Sequence, residues 1–81
     1  MKIRVKLFAV ACQLAESDTV DIDLPKGATV GDLRREIARQ HAPLAPLVPH
    51  LMIALDTDYA DDDRIVGPDQ EIACIPPVSG G

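Results

Sequence analysis

The chain has 81 residues, 47% of them hydrophobic, which is enough for one small domain with a core and too apolar for a disordered segment. Thirteen acidic residues against eight basic ones leave a net charge of −5, which argues against nucleic acid as a partner and favours a protein with a basic surface. So short a chain leaves little room for a deep internal active site, and suits a carrier, adaptor or subunit better than a complete enzyme.

Residues 2–9 alternate, with Ile3, Val5, Leu7 and Ala9 on one face and Lys2, Arg4, Lys6 and Phe8 on the other. Period two over this length predicts a half-buried strand. Phe8 breaks the polar face and is a candidate edge contact or docking residue. Residues 11–16 allow one short helical turn, and Ser17-Asp18 is a turn signal. Residues 19–24 alternate again, with Val20, Ile22 and Leu24 inward, so the two runs should pair as a hairpin. Lys2, Arg4 and Lys6 would then face Asp21 and Asp23.

Pro25-Lys26-Gly27 ends the hairpin. Thr29 is placed as a helix N-cap, and Asp32 three residues on approximates a capping box. Val30, Leu33, Ile37 and Ala38 form the apolar stripe of a helix that runs to about Gln40, with Arg34, Arg35 and Arg39 expected on a solvated face. Pro43, Pro46 and Pro49 forbid a continuous helix beyond His41, leaving a loop anchored by Leu44, Leu47 and Val48. The apolar run 51–55 predicts a buried central strand. Asp56-Thr57-Asp58 turns the chain, and Tyr59-Ala60 suggests a very short strand. Residues 61–63 are three aspartates without the spacing or bidentate glutamate of a calcium loop, so a solvated turn is expected. After the turn Gly67-Pro68-Asp69-Gln70, residues 71–75 form the last strand, stopped by Pro76.

The order strand, strand, helix, strand, short strand, strand matches an α+β fold, the ubiquitin-like β-grasp. One main helix packs across a mixed sheet whose first and last strands are parallel neighbours at its centre. The domain is expected over 1–75, with an extended, flexible di-glycine tail over 76–81. That tail reads Pro76-Pro77-Val78-Ser79-Gly80-Gly81. Pro76 and Pro77 cannot donate to a sheet ladder, and Gly80 and Gly81 lack a Cβ and fit a channel too narrow for other residues. Its one reactive group is the carboxylate of Gly81.

Cys12 and Cys74 have no CxxC or Cys/His metal spacing and are expected to be reduced, partly buried thiols, consistent with a cytoplasmic protein. No signal-peptide pattern and no apolar stretch near the roughly 20 residues of a membrane span is evident. His41 and His50 are the only histidines, and no Ser/His/Asp or Cys/His arrangement marks an enzyme in its own right.

Three segments carry a resemblance to a known family. The closing run Glu71-Ile72-Ala73-Cys74-Ile75-Pro76-Pro77-Val78-Ser79-Gly80-Gly81, the strand end Leu7-Phe8-Ala9 and the helix opening Thr29-Val30-Gly31-Asp32-Leu33 resemble the small subunits of molybdopterin synthase, sulfur carriers of the ubiquitin-like superfamily. Two turns depart from the family pattern. Asp69-Gln70 stands where Gly-Asp usually precedes the acidic residue, and Asp56 stands where Asn is common.

The resemblance implies that an ATP-dependent activating enzyme, an adenylyltransferase, adenylates the Gly81 carboxylate. A sulfur donor then converts it to a thiocarboxylate. It implies no bound cofactor and no metal. The loaded carrier would dock on the synthase large subunit, in a heterotetramer of two small and two large subunits. Its tail would there deliver sulfur to cyclic pyranopterin monophosphate, forming the dithiolene of molybdopterin. In this reading Gly81 carries the sulfur, Gly80 keeps the tail slim, and Pro76, Pro77, Val78 and Ser79 make its stem. Phe8, Tyr59 and Ile75 match apolar partner-docking positions, and catalysis lies on the large subunit. The alternatives are a sulfur carrier of the thiamine type, a ubiquitin-like modifier joined through Gly81 to lysines, and a binding module whose tail is incidental. Neither nucleic acid nor a membrane is an expected partner.

Overall fold

The structure is a computed structural model that describes residues 1–77. Strand β1 spans Lys2–Leu7 and strand β2 spans Thr19–Asp23; they pair antiparallel with Ile3 opposite Ile22 and Arg4 opposite Asp21. Ile3, Val5, Leu7, Val20 and Ile22 are buried and their alternate neighbours exposed, as period two requires. The connection is not a tight turn: it carries a short helix α1, Val10–Ala15. Ala9, expected inward as the end of the strand, is exposed instead, with φ 53° and ψ −129°. This positive φ breaks the strand early and redirects the chain into α1. Of the expected cross-strand ion pairs, Arg4 and Asp21 meet at 3.4 Å, but Lys6 turns to Glu71 at 2.8 Å on its other side.

Helix α2 spans Val30–Gln40 and opens on the expected capping box. The Asp32 N–H donates to Thr29 Oγ1 (3.2 Å) and the Thr29 N–H to Asp32 Oδ2 (3.0 Å). Val30, Leu33 and Ile37 are fully buried beneath it. The backbone of Gly31 approaches the Asp62 carbonyl closely; its N–H donates there at 2.8 Å, and a Cβ would lie 3.3 Å from that oxygen. Of the three arginines expected in solvent, Arg35 and Arg39 are exposed and Arg34 is not. The Arg34 guanidinium donates to the carbonyls of Val48 (2.9 Å) and Leu51 (2.6 Å) and to Asp62 Oδ1 (2.7 Å). It therefore holds the proline-rich segment against the helix, and Asp62, expected in a purely solvated turn, is its counter-ion. That segment forms two 3-10 turns, Ala42–Leu44 and Val48–His50, with proline at an early position of each, where a missing N–H costs nothing. Leu44 and Val48 are its buried anchors; Leu47 is half-buried.

Strands β3 (Met52–Leu55), β4 (Asp58–Tyr59) and β5 (Ile72–Ile75) complete a five-stranded sheet of order β2-β1-β5-β3-β4. The parallel pairing of β1 with β5 matches the β-grasp expectation. β5 is the central strand, as that expectation has it, while the apolar run 51–55, also read as a central strand, is not central. β3 lies one place from the edge, and alternation turns Met52 to the uncovered face, where it is 43% exposed, while Ile53 and Leu55 face the core and are buried. The short strand includes Asp58 and ends at Tyr59, one residue earlier than expected. α2 packs on one face of the sheet and leaves the other open. No helix among the described residues is long and apolar enough to cross a membrane.

Candidate functional site: the tail base and the open sheet face

β5 is hydrogen-bonded on both sides, to β1 through Leu7–Cys74 and to β3 through Met52–Ile75. A strand held at the centre of a sheet is a rigid base for the residues beyond its end. Alternation turns Ile72 and Cys74 into the core and Ala73 and Ile75 toward the open face. Pro76, the first residue of the expected tail, is buried and Pro77 is exposed. Val78, Ser79, Gly80 and Gly81 lie outside the described residues, and with them the expected sulfur site and most of its stem.

Beside this exit the structure gathers the three residues expected to dock. Phe8 follows Leu7, which pairs with Cys74, so its ring lies beside Ile75; Tyr59 reaches the same face from opposite Ala54. Phe8, Tyr59 and Ile75 line one shallow hollow of about 250 Å³, whose floor is the register pair Ala54 and Ala73. Phe8 is 47% and Tyr59 63% exposed, so neither is a core residue. The one Phe and the one Tyr of the chain thus converge on one surface, and exposed aromatics are favoured interface anchors. The Lys6–Glu71 ion pair borders the hollow.

Sequence reasoning missed Met52, Ala54 and Ala73. Met52 sits beside Ile75 on the open face, hidden in an apolar run that reads as wholly buried. The small residues Ala54 and Ala73 leave the space that makes the hollow, and their even register with Met52 and Ile75 was the available signal.

Both turn departures are accommodated. Asp56 and Thr57 take φ of 50° and 75°, the pair of positive values a two-residue hairpin turn requires, and aspartate tolerates this region much as asparagine does. The Asp56 side chain also accepts the Glu71 N–H (2.8 Å), and the Asp56 N–H donates to the Glu71 carbonyl (2.8 Å). Gln70 Oε1 accepts the Gly67 N–H at 2.7 Å and closes the other turn. Both contacts brace the start of β5.

The cysteines are free. Burial pushes the Cys74 thiol up to about 12, so it is a protonated core residue at neutral pH. The hydrogen bond to Asp18, with Sγ 3.1 Å from Oδ1, raises Cys12 as well. Neither thiol has the thiolate character of a sulfur nucleophile.

Comparison with known proteins places this geometry. The ThiS family matches residues 5–81. The chain belongs to the ThiS family. A molybdopterin synthase sulfur carrier subunit of Caenorhabditis elegans is 35% identical over 83 residues, covering 100% of this chain and 99% of that protein. Small archaeal modifier protein 1 of Haloferax volcanii is 32% identical over 94% of this chain and 97% of its own length. A crystal structure of the Haloferax protein superposes with a TM-score of 0.85 at 29% identity, covering both chains in full. The small chain in a Helicobacter pylori complex of subunits 1 and 2 of molybdopterin-converting factor shares the fold, with a TM-score of 0.68 at 22% identity over the whole of both chains. The ubiquitin-like β-grasp of this ThiS-family chain thus agrees with the expectation from the order of its elements.

Proposed function

We propose that this protein is the sulfur carrier subunit of molybdopterin synthase. The observation that carries the reading is the exit of the chain from central strand β5, beside an exposed apolar face built by Phe8, Met52, Tyr59 and Ile75. This is a base that presents a reactive end while the face next to it docks. The match to named sulfur carrier subunits along the full chain supports the same role.

In this reading the Gly81 carboxylate is the reacting group. A carboxylate is a poor electrophile, so ATP-dependent adenylation by a separate activating enzyme supplies AMP as the leaving group. Sulfide equivalent from a donor displaces AMP and leaves a thiocarboxylate, a soft nucleophile. On the large subunit, which holds the catalytic groups, the thiocarboxylate sulfur bonds to a carbon of cyclic pyranopterin monophosphate, and water cleaves the resulting thioester, leaving the sulfur on that carbon and returning the Gly81 carboxylate. Gly80 keeps the tail slim, and Pro77, Val78 and Ser79 form its stem, with Pro76 anchoring it to the body. Partial pre-ordering by the prolines lowers the entropy lost on insertion. The partner is the large subunit, in a heterotetramer of two of each chain; the Helicobacter complex supports a pairing of this kind. The reaction runs in the cytoplasm, where Cys12 and Cys74 stay reduced.

Intact-protein mass spectrometry after incubation with activating enzyme, ATP and a sulfur donor tests this. The full chain should gain the mass of one sulfur-for-oxygen exchange, and a chain lacking Gly81 should gain nothing. Sulfur on the truncated chain would refute the assignment. The likeness to small archaeal modifier protein 1 favours a second reading, attachment of Gly81 to lysines of other proteins. Isopeptide-linked conjugates in lysate that vanish on deletion of Gly81 would support it.

A further inference from the structure

We propose that Ser17 and the end of helix α2 together seal the outer edge of β2 against strand addition, and that the strand they keep out is β2 of a second copy of this chain. The sheet has two edges, β2 and β4. β4 is two residues long and is protected by its shortness. β2 is five residues long and is the exposed edge at which pairing is a hazard.

The hydrogen bonds Leu7 N–H to Asp18 O and Leu24 N–H to Met1 O direct the even-numbered residues of this strand toward β1. Thr19, Asp21 and Asp23 therefore turn their N–H and C=O groups outward. Side chains occupy five of these six groups. Ser17 Oγ accepts the Thr19 N–H (3.3 Å) and donates to the Thr19 carbonyl (2.7 Å). His41 Nε2 meets the Asp21 carbonyl at 3.3 Å, as its N–H tautomer. Gln40 Oε1 accepts the Asp23 N–H and Gln40 Nε2 donates to the Asp23 carbonyl, both at 3.0 Å. Of the six, the Asp21 N–H has no partner among the described residues.

A carboxamide has the donor and acceptor of a peptide unit, so Gln40 pairs with Asp23 as a residue of a neighbouring strand would. Its orientation is fixed from behind, because the second Nε2 hydrogen goes to Glu36 Oε1 at 2.8 Å. The flipped amide would set an NH2 against the Asp23 N–H and lose all three bonds. The excluded strand is a second copy on symmetry grounds. An antiparallel pair centred on Asp21 sets Thr19 of each chain against Asp23 of the other, so the same groups complement themselves across a twofold axis. Sealing this edge leaves the open sheet face beside the end of β5 as the surface for partners.

Amide hydrogen exchange by NMR on the full chain tests the proposal. The Thr19 and Asp23 amides should be protected although no strand faces them, and the Asp21 amide should exchange freely. Replacing Ser17 and Gln40 together by alanine should speed exchange at Thr19 and Asp23 about tenfold, the scale of one lost net hydrogen bond, and leave Val20 and Ile22 slow. Light scattering should then show a concentration-dependent dimer. Gln40→Met keeps the length and helix preference but can neither accept the Asp23 N–H nor donate to the Asp23 carbonyl, and it should release the Asp23 amide even if the double variant folds poorly. An Asp23 amide that exchanges as fast as that of Asp21 in the unaltered chain would overturn the proposal. So would a folded double variant that stays monomeric at every concentration.

Discussion

Replacing Arg34 by alanine should destabilise this domain more than any other surface-helix substitution. The side chain is 19% exposed, and its guanidinium makes three hydrogen bonds: to the Val48 carbonyl, the Leu51 carbonyl and the Asp62 carboxylate. Hydrogen bonds from a charged donor contribute about 1.5–3 kcal/mol each when well enclosed. The Asp62 partner is 64% exposed, so that bond is screened and adds little. The two carbonyl bonds are partly buried, and water can recover some of their loss. We therefore expect about 2–4 kcal/mol in total. For a chain of this size each kcal/mol moves the midpoint by roughly 4–8 °C, so Tm should fall by about 8–32 °C. Arg34→Lys should rescue little, because an ammonium cannot span two carbonyls and a carboxylate as a planar fork does. Differential scanning calorimetry of both variants measures this. A fall below about 2 °C for Arg34→Ala would refute the view that one arginine ties the proline-rich segment to the helix, since a merely solvated arginine costs within about 0.5 kcal/mol. The loss should also be felt in docking. The Leu51 carbonyl immediately precedes β3, and β3 sets Met52 beside Ile75 on the open face.

Three further substitutions or conditions probe other parts of the molecule. Phe8→Asp should weaken binding to the synthase large subunit by at least about tenfold in calorimetry, as loss of an aromatic anchor does, while Tm stays near that of the parent because the ring is half exposed; equal affinity would remove Phe8 from the docking face. Leu44→Ala, at a site with no exposure, should cost about 2–5 kcal/mol by urea unfolding, and a cost under about 1 kcal/mol would mean the 3-10 segment is not core. Acid should loosen α2: the Thr29 cap holds the Asp32 carboxyl below its usual 3.8, and Arg39 and Gln40 hold Glu36 below 4.5. A depressed carboxylate contributes stability above its unfolded value and loses it as pH falls through its folded one, so melting temperature should drop below about pH 4, and less steeply in Glu36→Gln. Identical acid profiles would show that Glu36 carries no such linkage.

The parts of this molecule legible in sequence are those whose cause is local. Val5, Leu7, Val20 and Ile22 declare a strand by period two, Thr29 and Asp32 declare a helix start by two reciprocal hydrogen bonds, and the prolines declare where α2 must end. What failed depends on residues distant in the chain. Arg34 reads as solvated because its carbonyl partners arrive from residues 48 and 51, and Met52 reads as buried because its exposure depends on which sheet face the rest of the chain leaves uncovered. Gln40 reads as the last residue of a helix, yet its amide ends up serving as a piece of strand against Asp23. The residues expected to dock divide the same way. Phe8 is conspicuous by breaking an alternation, whereas its convergence with Tyr59 and Ile75 is implied by family resemblance and requires the sheet order β1-β5-β3-β4 to bring it about. That order also decides what kind of protein this can be. With β5 central, any pull or push on the chain beyond it is borne by two ladders at once, so under the proposed function the reactive end could enter a partner without unzipping the body.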